Sequence, residues 1–303
     1  MRPEVRYSIG MERLFMRFCA QPEHRDDPNF VNTFVGSRVR KEFYSSEFLA
    51  RNPLDGFPEY SEEFFEWIDL LEAIEEAEDL FTMIELGAGH GRWLVAGAVA
   101  ARSRGLNIRL VGVEAESNHF AMMRQHFIDN DIDPNAHTLI PSAVTSDGKP
   151  AYFTQGHSHE WWGQSVLPSA DYGFGNWPHA KVERVEGISL STILAPLERV
   201  DLIDLDIQGA EFDVLASAKD NLPKVKHIHI GTHGPEIEKD LIALFSDLGW
   251  TARYCYHCGT IADTDYGPIR FLDGVQSWIN PPLMGCVAKR ELDQSRSDPG
   301  GSA

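Results

Sequence analysis

Hydrophobic and polar positions change period along the chain. In "EEFFEWIDLLEAIEEA" the apolar residues Phe64, Phe65, Ile68, Leu71 and Ile74 recur at spacings of three and four, which predicts an amphipathic helix. That helix ends a segment rich in aromatics and acids, residues 1–78, read as a helical N-terminal cap that packs on the main domain. From Leu80 the pattern becomes short apolar runs alternating with longer amphipathic ones. "LFTMIEL" is followed by "GRWLVAGAVAARSRG", "IRLVGVEA", "SNHFAMMRQHFIDN" and "HTLIPSAV". The alternation continues through "RVDLIDLDIQ", "GAEFDVLASAK", "VKHIHIGT", "PEIEKDLIALFSDLG" and "WTARYCYH". Strands alternating with helices predict stacked βαβ units, hence an α/β fold with a mostly parallel sheet and helices on both faces. The last apolar run, "GVQSWINPP", is expected to close the edge as an antiparallel strand. The domain read from this pattern spans residues 79–290, and the polar stretch 291–303 is expected to be a disordered tail.

One segment, residues 155–181, has no period: "QGHSHEWWGQSVLPSADYGFGNWPHAK". Long irregular insertions in compact domains usually serve function, and this one carries Trp161, Trp162 and Trp177.

Composition narrows the classes. The 303 residues are 43% hydrophobic and 24% charged, ordinary for a globular enzyme. The net charge of −19 opposes phosphate backbones and anionic lipid, so neither nucleic acid nor a membrane surface is an expected partner. No apolar run approaches a membrane span, and "MRPEVRYSIGMERLF" lacks the apolar core of a signal peptide; a cytoplasmic location is the expectation. Of Cys19, Cys255, Cys258 and Cys286, the CYHC pair alone has ligand-like spacing, and without a second pair it reads as structural.

The candidate chemistry starts at "MIELGAGHGRW", where a strand runs into alternating glycines and then a helix. Such turns hold nucleotide-like ligands, because glycines permit close backbone approach and the helix N-terminus offers free N–H groups. A dinucleotide is the first ligand to weigh, since Glu114 ends the next strand at the distance of a ribose-binding acid. The dinucleotide fingerprint needs a third small residue where this chain has Arg92. Glu85, at the strand end, would also repel a pyrophosphate. S-adenosylmethionine suits these residues better, having a ribose for Glu114, a cationic amino group for Glu85 and no phosphate.

"ELGAGHGRW" accordingly resembles the first motif of class I S-adenosylmethionine-dependent methyltransferases. "VDLIDLDIQGAEFDVLASA", Val200 to Ala218, resembles the signature of the FkbM family of O-methyltransferases. The resemblance extends to "SAVTSDGKPAYF", "WGQSVL" and "ISLSTIL" and covers roughly Leu80 to Thr232. This chain departs from the family pattern at Asp204, where lysine is usual, and at Gln208, where glutamate is usual. It departs again at Gly231 and Thr232, where a glutamate more often precedes the histidine. The resemblance implies a Rossmann-like class I methyltransferase domain, with Glu85, Gly87 and Gly89 along the methionine and ribose, Glu114 on the ribose hydroxyls, and Ser142 and Ala143 beside adenine.

Methyl transfer from a sulfonium is an in-line displacement; for a hydroxyl acceptor the protein must align the partners and take a proton. Asp206, at the carboxyl edge of its strand, and His233, which matches the family histidine, are the expected catalytic residues. Asp204, Asp206, Glu211 and His233 together offer ligands for magnesium or another divalent ion. Trp161, Trp162 and Trp177 are expected to stack on the acceptor, a sugar or glycosylated metabolite. The cap has two open uses, shielding the site or forming a homodimer. Two other readings remain at this point: a NAD-linked oxidoreductase on the same fold, and a catalytically silent S-adenosylmethionine-binding scaffold.

Overall fold

A computed structural model describes residues 9–20, 27–51, 54–155, 163–167 and 181–284. Seven strands form the central sheet: β1 (Leu80–Leu86), β2 (Asn107–Val113), β3 (Thr138–Ile140), β4 (Val200–Leu205), β5 (Val225–Thr232), β6 (Thr251–Tyr256) and β7 (Gly274–Ile279). Their order across the sheet is β6-β7-β5-β4-β1-β2-β3. The run from β5 to β3 is parallel, and β7 is antiparallel to both its neighbours. Chain order reverses between β1 and β4, the place where open α/β sheets bind ligands at their carboxyl ends.

β7 has the expected antiparallel direction but sits one place in from the edge, with β6 outermost. Burial explains the difference: every residue of β7 is buried, so it needs neighbours on both sides, whereas β6 is largely half-exposed.

Helices cover both faces. On one lie α1 (Ile9–Phe18), α2 (Glu62–Glu75), α3 (Arg92–Ser103) and α4 (Ser117–Asp129); on the other lie α5 (Glu211–Ser217) and α6 (Pro235–Asp247). The sequence predicts one apolar stripe on α2, yet Phe64, Phe65, Trp67, Ile68, Leu70, Leu71, Ala73 and Ile74 are all buried. A helix apolar nearly all round is a core helix. Its residues share one hydrophobic cluster with Leu14 and Phe15 of α1, Phe81 and Met83 of β1, and Leu94 of α3. The boundary at residue 78 therefore does not separate two cores.

The segment 155–181, read as irregular, contributes one strand of a small antiparallel sheet, in which Ala151–Gln155 pairs with Val166–Leu167 and with Lys181–Val185. Trp161, Trp162, Trp177, Cys286 and the 291–303 tail lie outside the described residues. Cys255 and Cys258 are free thiols. Among the described residues no helix is long and apolar enough to cross a membrane.

Candidate active site

The carboxyl ends of β1, β2, β4 and β5 open into a cavity of about 310 Å³. It is lined by the glycine turn, by Glu114, Ser142 and Ala143, by residues of α2, and by Asp204, Asp206 and His229.

The glycine turn is shaped by close approach. Gly87 has φ +81°, and a Cβ there would stand 1.8 Å from the carbonyl oxygen of Asp206, so only glycine lets the ends of β1 and β4 meet. Behind the turn, Glu85 is buried, and its oxygens accept the N–H groups of Leu94 at 3.0 Å and Trp93 at 3.4 Å. The N-terminus of α3, where a pyrophosphate would sit, is thus already satisfied by a protein carboxylate. Burial, with Asp204 nearby, holds the Glu85 carboxyl well above its usual range. Glu114 accepts the N–H of Gly89 at 2.6 Å and of Glu116 at 2.7 Å. Burial outweighs these hydrogen bonds and lifts its pKa to about 7. Ser142 and Ala143 line the same end of the cavity, so the structure brings all six expected cofactor residues together.

The expected catalytic and metal residues divide into two groups. Asp206 lines the cavity, and its Oδ1 accepts a hydrogen bond from the Gln208 amide at 2.8 Å. Gln208 holds φ +52° and also touches Nε2 of His233, at 2.7 Å, so it stands between His233 and Asp206. The Nδ1 of His233 is 2.9 Å from Oε1 of the fully buried Glu211, which also accepts the N–H of Gly209. Burial disfavours the charged ring, but the Glu211 hydrogen bond and the charges of Asp206 and Asp273 prevail and raise the pKa of His233 to about 8. His233 therefore stands behind the cavity wall, beside Asp206.

Asp204 faces elsewhere. Sheet register places Glu85, Asp204, His229 and Ser277 in one row across β1, β4, β5 and β7. The Asp204 carboxyl meets Glu66 of α2, and the Nδ1 of His229 lies 2.7 Å from Oδ2 of Asp69 on the same helix. The four expected metal ligands, Asp204, Asp206, Glu211 and His233, are thus not gathered at one point: β4 ends at Leu205, and the chain beyond it carries Asp206 towards Gln208 and His233. Glu66, Asp69 and Asp273 went unremarked in the sequence. The legible sign of Asp69 was an acid inside the wholly buried run Trp67–Leu71.

The cavity lining is rich in acids, with Glu62, Glu63, Glu66, Asp204, Asp206 and Asp273. Arg92 is the cation among the lining residues, and it is committed to Glu63 through two hydrogen bonds, of 2.7 and 2.8 Å.

The sequence profile of the Methyltransferase FkbM domain matches residues 85–250, more than half of the chain. The chain belongs to the FkbM methyltransferase family. A relative in Jannaschia sp. (strain CCS1), named "Putative methyltransferase", is 27% identical over 236 residues, 74% of this chain and 82% of that one. Two solved structures superpose on it in part. An FkbM methyltransferase from Methylobacillus flagellatus KT superposes with TM-score 0.43 and 12% identity, covering 67% of this chain and 45% of that one. A precorrin-6y C5,15-methyltransferase from Geobacter metallireducens GS-15 gives 0.38 and 11%, covering 71% and 87%. In the FkbM protein described here, the last two residues of β1 and the glycine turn open the matched region, and α6 and Trp250 close it.

Proposed function

We propose that this FkbM protein transfers a methyl group from S-adenosylmethionine to a hydroxyl of a small, uncharged acceptor, a sugar or glycosylated metabolite. The observation that carries the donor is Glu85 on the first N–H groups of α3. With that terminus filled, the turn suits a ligand that brings a ribose and a cation rather than a phosphate, which disfavours nicotinamide cofactors. The residues that would hold it are Glu114 for the ribose hydroxyls, Gly87 and Gly89 for close backbone approach, and Ser142 and Ala143 beside the base. When bound, S-adenosylmethionine supplies an electrophilic methyl group that needs no Lewis acid.

The acids that line the cavity point to the acceptor. Carboxylates accept hydrogen bonds from hydroxyls and repel anions, so a polyol is held and a phosphorylated acceptor excluded. Asp206, which lines the cavity just past the end of β4, is the residue assigned to receive the hydroxyl proton. His233, anchored by Glu211, orients Asp206 through the Gln208 amide, which donates to Asp206. Aromatic stacking by Trp161, Trp162 and Trp177 belongs to the same reading.

The test is transfer of labelled methyl from S-adenosylmethionine to a panel of free and glycosidic sugars. Asp206→Asn is expected to lower the rate by about 10²-fold or more, the range for a lost general base, with donor binding unchanged. Full activity in Asp206→Asn would remove it from the mechanism, and donor binding without transfer to any hydroxyl would point to a silent binding protein.

A further inference from the structure

We infer that Glu66, Asp204 and His229 form a binding site for a divalent transition-metal ion, with Asp69 orienting the histidine, at the acceptor end of the cavity. One ligand atom from each of the three residues lies within 4.8 Å of the others. Metal–ligand bonds of about 2.0–2.2 Å place donor atoms up to about 4 Å apart across an ion, so the ring needs only a small contraction. Asp204 and His229 are each only 4% exposed, and they are neighbours in the β4–β5 register. Glu66 comes from the opposing helix α2 and lines the cavity.

The second observation is the histidine itself. Its Nδ1 is held by the buried carboxylate of Asp69, at 2.7 Å. That bond occupies Nδ1 of a ring whose residue belongs to the cluster, and among the described residues no hydrogen bond reaches Nε2. A carboxylate holding one imidazole nitrogen is the outer support that metal-bound histidines carry. The Glu66 and Asp204 carboxyls meet at this place, and a divalent ion would pair with both.

The donor set selects the ion. One imidazole with two carboxylates suits manganese or zinc better than magnesium, which prefers oxygen ligands alone and keeps its waters. Three protein ligands leave positions open towards the cavity, the condition of a site that takes substrate. Two neighbouring hydroxyls of an acceptor fit those positions, and a coordinated hydroxyl gives up its proton more readily, here to Asp206. What the ion does rests on the methyltransferase reading; whether it binds does not.

The experiment is titration of the chelator-treated full chain with Mn²⁺, followed by electron paramagnetic resonance, with Zn²⁺ as competitor and S-adenosylhomocysteine binding measured on the same samples. One saturable Mn²⁺ site displaced by Zn²⁺ is expected. Glu66→Gln and His229→Gln should abolish it, and Asp69→Asn should weaken it 10–100-fold, the range for an outer-shell partner. S-adenosylhomocysteine binding retained by the variants shows that they fold. Absence of a saturable site, or one that survives both Glu66→Gln and His229→Gln, overturns the inference. Metal binding without S-adenosylhomocysteine binding would instead overturn the donor assignment and leave the metal site standing.

Discussion

At the residue scale Glu114 shows how a ligand site shifts a titration. Its carboxylate is buried at the end of β2, and although two backbone N–H groups favour the charged form, burial sets its pKa near 7. A carboxyl whose folded pKa lies above its ordinary 4.5 binds its proton more tightly in the folded state. Its contribution to stability is therefore largest below pH 4.5 and declines as the pH rises through the window to about 7, by about 1.4 kcal/mol for each unit. Urea unfolding at pH 5 and pH 7.5 is expected to show a smaller pH-dependent loss in Glu114→Gln than in the parent. Equal losses in the two proteins would mean that Glu114 is ionised normally before any ligand binds. The ribose hydroxyls need the charged acceptor, so donor affinity is expected to rise across the same window.

At the scale of elements, α2 joins the fold to the site. Its acceptor-side residues Glu62, Glu63 and Glu66 line the cavity, Asp69 holds His229, and Glu76 just past its end takes Lys226 of β5. The Lys226 ammonium is almost fully buried, 2.6 Å from Oε2 of Glu76 and 3.2 Å from its carbonyl oxygen. Removing a carboxylate from a buried ammonium costs about 3 kcal/mol, more than replacing the ammonium with an apolar chain. Glu76→Ala is expected to lower the unfolding free energy by about that amount, and Lys226→Met by less than half of it, in denaturant titration. The reverse ranking would show that the pair does not anchor α2.

The same element marks where the sequence was legible. The strands of the central sheet and the helices packed on it were readable from Leu80 onwards because short apolar runs alternate with amphipathic ones, and the glycine turn because positive φ and close approach demand glycine at fixed offsets, whereas the small hairpins at residues 151–185 and 260–271 were not. Glu85 was noticed as an acid at a strand end, but its partners, the N–H groups of Trp93 and Leu94, come from the turn's three-dimensional closure. The position of β7 depends on which strand has a free edge, and that is a property of the assembled sheet. The cluster of Glu66, Asp204 and His229 spans three distant segments. No local pattern relates them, so Asp204 was grouped with Asp206, its neighbour by strand alternation, until register put it beside His229.

At the scale of the whole molecule, the net charge of −19 and the acidic wall work in one direction. The global field and the cavity both turn away polyanions, while a neutral polyol or a cation enters without penalty. The fold supplies the rest: reversal of strand order between β1 and β4 opens the cavity, and the shared core under α1, α2 and β1 holds its acidic wall against the sheet. The central claim is that the glycine turn and Glu114 hold the methyl donor. It is tested most directly by calorimetric titration of the protein with S-adenosylhomocysteine, in parallel with Glu114→Ala. A hydrogen bond to a charged group contributes about 1.5–3 kcal/mol, so saturable micromolar binding in the parent and at least about tenfold weaker binding in the variant are expected. No binding in the parent, or equal affinity in both proteins, would contradict the account.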